Sequence, residues 1–187
     1  MSDTREGDHR RCATLGRGLS LLAAAGSLVL ALTPDASAQT TTASITVVGG
    51  ALGITVPVAA GNLGTRSNTV GGGTISGPLG QVQVTDARSA AAGSAWTASV
   101  ISTAFTPPSG PAIAASAVGY TVGTITKVGT ATYVANNPPD LTGVSPAVTA
   151  SGITGDNSAT WTPTINVLVP GGVLAAVYAA TITHSIA

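Results

Sequence analysis

A two-residue apolar rhythm, cut again and again by glycine or proline, constrains this chain more than any other feature. Side chains of a strand point alternately to its two faces, so this rhythm marks strands with one buried face. Ile45 and Val47, then Leu52, Ile54 and Val56, alternate with small or polar neighbours; Gly49-Gly50 separates the two runs and Pro57 closes the second. Thr65–Gly73 is a polar, glycine-rich connection. The rhythm resumes at Ile75 and through Leu79–Thr85, and Asp86-Ala87-Arg88-Ser89 reads as a strand end entering a turn. Trp96, Ala98 and Val100 then alternate with Thr97, Ser99 and Ile101, up to the break Pro107-Pro108-Ser109-Gly110-Pro111.

Farther on, Ile113–Val122 and Ala131–Val134 read as strands, with Asn136-Asn137-Pro138-Pro139-Asp140 as a rigid loop. Val144–Ile153 reads as another strand, ending before a turn at Gly155-Asp156-Asn157. Trp161, Pro163, Ile165, Val167 and Val169 share one face, and Pro170-Gly171-Gly172 turns the chain. The final run sets Tyr178, Ala180, Ile182, His184 and Ile186 on one side. No stretch has a capped 3.6-residue period. The expected fold is all-β: an antiparallel β-sandwich, or barrel-like sandwich, of about eight or more short strands.

The first 38 residues stand apart. Arg5, Arg10, Arg11 and Arg17 precede an uncharged run, Gly18–Leu32, and Pro34 and Ala36-Ser37-Ala38 follow it. Basic, apolar, then small residues is the order of a secretory signal peptide, with cleavage expected between Ala38 and Gln39. The apolar core, Leu19–Leu32, falls short of the roughly 20 residues a membrane-spanning helix needs. Arg10-Arg11 invites a twin-arginine route, but Cys12-Ala13-Thr14 after it lacks the bulky apolar pair that would support one. Two units result: a signal peptide at 1–38 and one β-domain at 39–187, with no transmembrane segment in the mature chain.

Charge bears on function. Only 7% of the whole chain is charged, where a typical domain has about 25%. Beyond residue 38 the charged side chains are Arg66, Arg88 and Lys127 against Asp86, Asp140 and Asp156, with His184 the one imidazole. A neutral chain has no grip on phosphate backbones, which argues against nucleic acid as a partner. Three aspartates beside turns and one histidine make neither a catalytic triad nor a glycosidase pair, and no G-x-S-x-G elbow is present. No metal site has a sensible set of ligands. Asp156-Asn157 reads as an Asx-type turn, and Gly71-Gly72-Gly73 lacks the lysine of a phosphate loop. The expectation is a secreted, non-enzymatic protein with no catalytic residue, no metal and no cofactor.

Three segments together resemble the WxL domain of Gram-positive secreted cell-surface proteins. The first is Leu79–Arg88, followed by Trp96-Thr97-Ala98-Ser99-Val100 and Phe105; the second is Ser158–Val167 with Val169-Pro170; the third is Val177–Ile186. The resemblance implies a secreted β-domain, extracellular or non-covalently associated with the cell wall, that binds peptidoglycan or partner surface proteins. It implies two ligand-binding segments, Trp96-Thr97-Ala98 and His184-Ser185-Ile186. The departures are plain: Ala98 stands where the family has Leu, His184 where it has Trp, and Ile186 where it has Leu.

The residues alone favour other roles at these positions. Alternation places Trp96 and Trp161 on inward faces, as core anchors ahead of sugar-stacking platforms. His184 reads as a semi-buried imidazole, and Asp86 with Arg88 as a surface pair worth about 0–1 kcal/mol. No Leu-Pro-x-Thr-Gly signal follows the last strand, so covalent wall anchoring is not expected. The alternative to a wall-binding module is a structural or self-assembling surface subunit, since few charges leave sheet edges unprotected. A small outer-membrane barrel ranks below both, because it wants aromatic girdles.

Overall fold

The computed structural model describes residues 42–187, so the expected signal peptide and its Ala38/Gln39 cleavage point lie outside the described residues. Eight strands follow in chain order: β1 (Leu52–Thr55), β2 (Gly73–Pro78), β3 (Val82–Ser102), β4 (Val118–Thr121), β5 (Thr126–Ala135), β6 (Ser145–Trp161), β7 (Thr164–Val169) and β8 (Ile182–Ile186). A 3-10 turn, Ala115–Ala117, precedes β4. The fold is an all-β sandwich of two antiparallel sheets. One has the order β1-β3-β6-β5 with β8 also on β3, and the other the order β2-β7-β4.

One core lies between them. Val82, Val84, Trp96, Ala98 and Val100 of β3 alternate inward, as do Ala159 and Trp161 of β6 and Ile165 and Val167 of β7. Val118 and Tyr120 of β4 complete the far side.

Three strand readings need correction. β3 and β6 are each continuous where turns were expected, at Asp86–Ser89 and at Gly155-Asp156-Asn157. Those residues form a β-bulge: β3 takes ten residue steps from Asp86 to Trp96, while β6 takes seven from Asn157 to Ala150. Ser89, at φ 52°, occupies the left-handed region there. Turn-forming residues and bulge-forming residues share this backbone chemistry, which is why one reads as the other. Ile113–Val122 is a strand only over Val118–Thr121, with Ile113 in an isolated bridge to Phe105.

The third correction concerns Ile45 and Val47, which belong to no strand and stand 91% and 81% exposed. β1 pairs with β3 over Gln83–Asp86, and β8 pairs with the same flank of β3 over Ala98–Ser102. Between them lies the bulge. The chain before β1 therefore has no straight edge of β3 left to join.

The long β3–β6 ribbon folds back on itself at that bulge. Val82 pairs with Trp161 and Val100 with His184, at places about 60 Å apart along a fully extended strand. Both Trp161 and His184 nevertheless touch the phenol of Tyr120.

Candidate functional site

The two segments that resemblance marks for ligand binding become neighbours. In the β3–β8 ladder Ala98 faces Ile186, Ser99 faces Ser185 and Val100 faces His184, and Thr97 exchanges both backbone hydrogen bonds with Ala187. The ladder sorts their side chains. Trp96 and Ala98 are buried at 2% and 0% exposure, and His184 and Ile186 are half-buried on the same inward side. Thr97 is half-buried and Ser185 exposed on the outward side, beside Ser99, Thr183 and Thr149. The outer face here is lined by hydroxyl groups without charge.

Trp96 anchors the corner of the folded ribbon. Its indole N–H donates to Asn157 Oδ1 at 3.0 Å, and the Tyr133 hydroxyl donates to the same oxygen at 3.2 Å. The Trp96 and Tyr133 rings are tilted, 5.7 Å apart between centroids. Asn157 donates through Nδ2 to Asp86 Oδ2 at 3.2 Å. Arg88 completes the set: its Nε donates to Asp86 Oδ1 at 2.8 Å and its Nη2 to Oδ2 at 2.9 Å. Asp86 is thus wholly buried rather than part of a surface pair, although Arg88 keeps a solvent-facing side. The Arg88 hydrogen bonds, with smaller help from Asn157, outweigh burial and lower the Asp86 pKa to about 2. On the outer side of the bulge, Asp156 Oδ1 accepts from the Ser89 backbone N–H at 2.9 Å, holding its left-handed conformation.

A second polar cluster joins the two sheets. Trp161 Nε1 donates to Tyr120 Oη at 2.9 Å, and Tyr120 Oη lies 3.1 Å from His184 Nε2. The Tyr120 hydroxyl and His184 Nε2 share one hydrogen bond, whose donor is set by the imidazole tautomer. Nδ1 is buried and has no hydrogen-bond partner among the described residues. Burial lowers the His184 pKa to about 4 and raises that of Tyr120. Alternation in the sequence indicated the inward direction of His184; its partner Tyr120, on another sheet, had no sequence signal.

The acids and bases are therefore committed to the architecture. Asp86 is clamped by Arg88, His184 faces Tyr120, and Asp140 accepts from the Thr142 backbone N–H at 3.2 Å within its own turn. Among the described residues no three His, Cys, Asp or Glu side chains form a metal-holding group. No helix among them is long and apolar enough to cross a membrane. A trough of about 940 Å³, floored by Leu79, Phe105, Ile113 and Val167, has Arg66 as its one charged lining residue among the described residues. A smaller cleft of about 360 Å³ is lined by neutral groups, among them Thr74, Asn137 and Asn166.

Compared with known proteins, the chain matches no family model, no curated protein and no solved structure.

Proposed function

We propose that this chain is a secreted, non-catalytic cell-surface module that holds to peptidoglycan, or to partner surface proteins, without a covalent bond. The observation that carries the reading is the β3–β8 ladder, which joins the end of Trp96-Thr97-Ala98 to the end of His184-Ser185-Ile186 through the direct pair Ala98–Ile186. Two segments about ninety residues apart, singled out by resemblance alone, meet on adjacent strands. The commitment of Asp86 and His184 to buried contacts supports a role without acid–base chemistry.

With the aromatic positions turned inward, contact falls to the outward residues of the same ladder. Thr97, Ser99, Thr183 and Ser185 offer neutral donors and acceptors, which suit the hydroxyl and amide groups of a glycan–peptide polymer. Co-sedimentation with purified peptidoglycan tests this. Enrichment over an inert polysaccharide, lost in Thr183→Arg/Ser185→Arg, is the expected result; equal recovery on both polymers sinks the reading.

A further inference from the structure

We infer that the segment before β1 is a donor strand, which adds to the free edge of β5 in a second copy of this chain. Ile45, Val47 and Val48 are 91%, 81% and 83% exposed, three large aliphatic side chains within four residues, left uncovered by the rest of the described residues. The cause is topological. Gly50 hydrogen-bonds Ala87 at the β3 bulge, and beyond the bulge β8 already occupies the flank of β3 that the segment would follow. A strand-prone sequence is displaced from its own sheet.

The acceptor lies at the opposite edge of that sheet. In the order β1-β3-β6-β5, β5 is paired on one side only, and its ten residues make it the longest edge strand of the fold. The usual protections of an edge are weak here. Its one charge, Lys127, sets its ammonium over the Tyr133 ring, 5.8 Å from the centroid, while Val128 and Val134 are 66% and 49% exposed. The edge of β4 is closed by comparison, since its Tyr120 N–H donates to Pro138 O and Asn137 Oδ1 takes the Val122 N–H.

Charge permits the match. No charged residue lies between Asp35 and Arg66, so donor and edge meet without repulsion. Strand addition gives affinity through backbone hydrogen bonds, and side chains at alternate positions set the register. Donor and acceptor stand on opposite edges of one sheet, so the contact is head-to-tail, the kind that builds rings or open filaments. Copies extend a shared sheet into a filament.

The test uses light scattering across a concentration range, with electron microscopy. The purified protein is expected to gain mass with concentration and to form thin filaments. Ile45→Asp/Val47→Asp removes the donor, and Val128→Lys/Val134→Lys blocks the acceptor; each is expected to stay monomeric with unchanged tryptophan fluorescence. Mixed one to one, the two variants retain one working donor and one working acceptor, and a doubled mass without filaments is expected. Should the lysine variant fail to fold, the aspartate variant decides alone. A monomeric wild type at every concentration overturns the inference, as do filaments that survive loss of the donor. A monomer that still binds peptidoglycan sinks this inference and spares the function proposed above; filaments without peptidoglycan binding do the reverse.

Discussion

Trp96 hydrogen-bonds Asn157 across a corner, although in the strand ladder Trp96 is the partner of Ala150 and Asn157 the partner of Asp86. That displacement measures the bend in the β3–β6 ribbon. One side-chain amide receives two aromatic donors and gives a hydrogen to a buried carboxylate, so it fixes the angle at which the ribbon folds.

Replacing Asn157 with Leu should therefore cost about 2–4 kcal/mol, because the Trp96 N–H and an Asp86 oxygen lose a buried partner at once. Urea unfolding followed by tryptophan fluorescence measures it. A change below 1 kcal/mol would mean that the bulge holds its shape without the amide.

Acid should weaken the fold in two separate windows. His184 has a folded pKa lowered from 6.5 to about 4, so the unfolded chain binds a proton that the folded one refuses. Its contribution is complete above pH 6.5 and is lost as pH falls toward 4, by on the order of 2–3 kcal/mol. His184→Phe should flatten stability between pH 6.5 and 4, as read from urea midpoints over that range.

Asp86 acts lower on the scale. With its pKa lowered from 3.8 to about 2, its stabilisation is present above pH 3.8 and disappears as pH falls toward 2. Because Arg88 faces solvent on one side, about 1–2 kcal/mol is the expected size. Asp86→Asn should remove that slope while leaving the His184 window intact. Persistence of the lower slope in this variant would assign it to another carboxylate.

Two glycines separate packing from propensity. Gly77 of β2 lies under the Leu63 backbone, where an added Cβ would collide with a carbonyl, whereas Gly53 of β1 has nothing within 4 Å. Gly77→Ala should cost about 1–3 kcal/mol through overpacking. Gly53→Ala should be neutral or stabilise by up to about 1 kcal/mol. Thermal melts of the two variants give the comparison.

Much of this architecture was legible from alternation alone. The inward faces of Trp96, Ala98 and Val100, of Trp161, Ile165 and Val167, and of Ile182, His184 and Ile186 follow from period two. Alternation says which side a residue faces but not what lies opposite. It left the Tyr120–His184 contact unseen, since that pairing joins different sheets. Asp86–Ser89 and Gly155–Asn157 misled because a bulge and a turn recruit the same residue types. Ile45 and Val47 misled for the converse reason: the local pattern is right, but the stretch of β3 beyond Asp86, where such a strand would continue, is the bulge.

The folded-back ribbon also has a kinetic meaning. Val82 meets Trp161 and Val100 meets His184 across some eighty intervening residues, so the defining contacts are among the most distant in sequence. Each demands loop closure before it returns any free energy, and chains of such high contact order fold in milliseconds to seconds rather than microseconds. Until Ile182–Ile186 docks on β3, Tyr120 lacks its imidazole partner and the core stands open on that flank. The flank of β3 over Ala98–Ser102 is therefore closed only once β8 is in place.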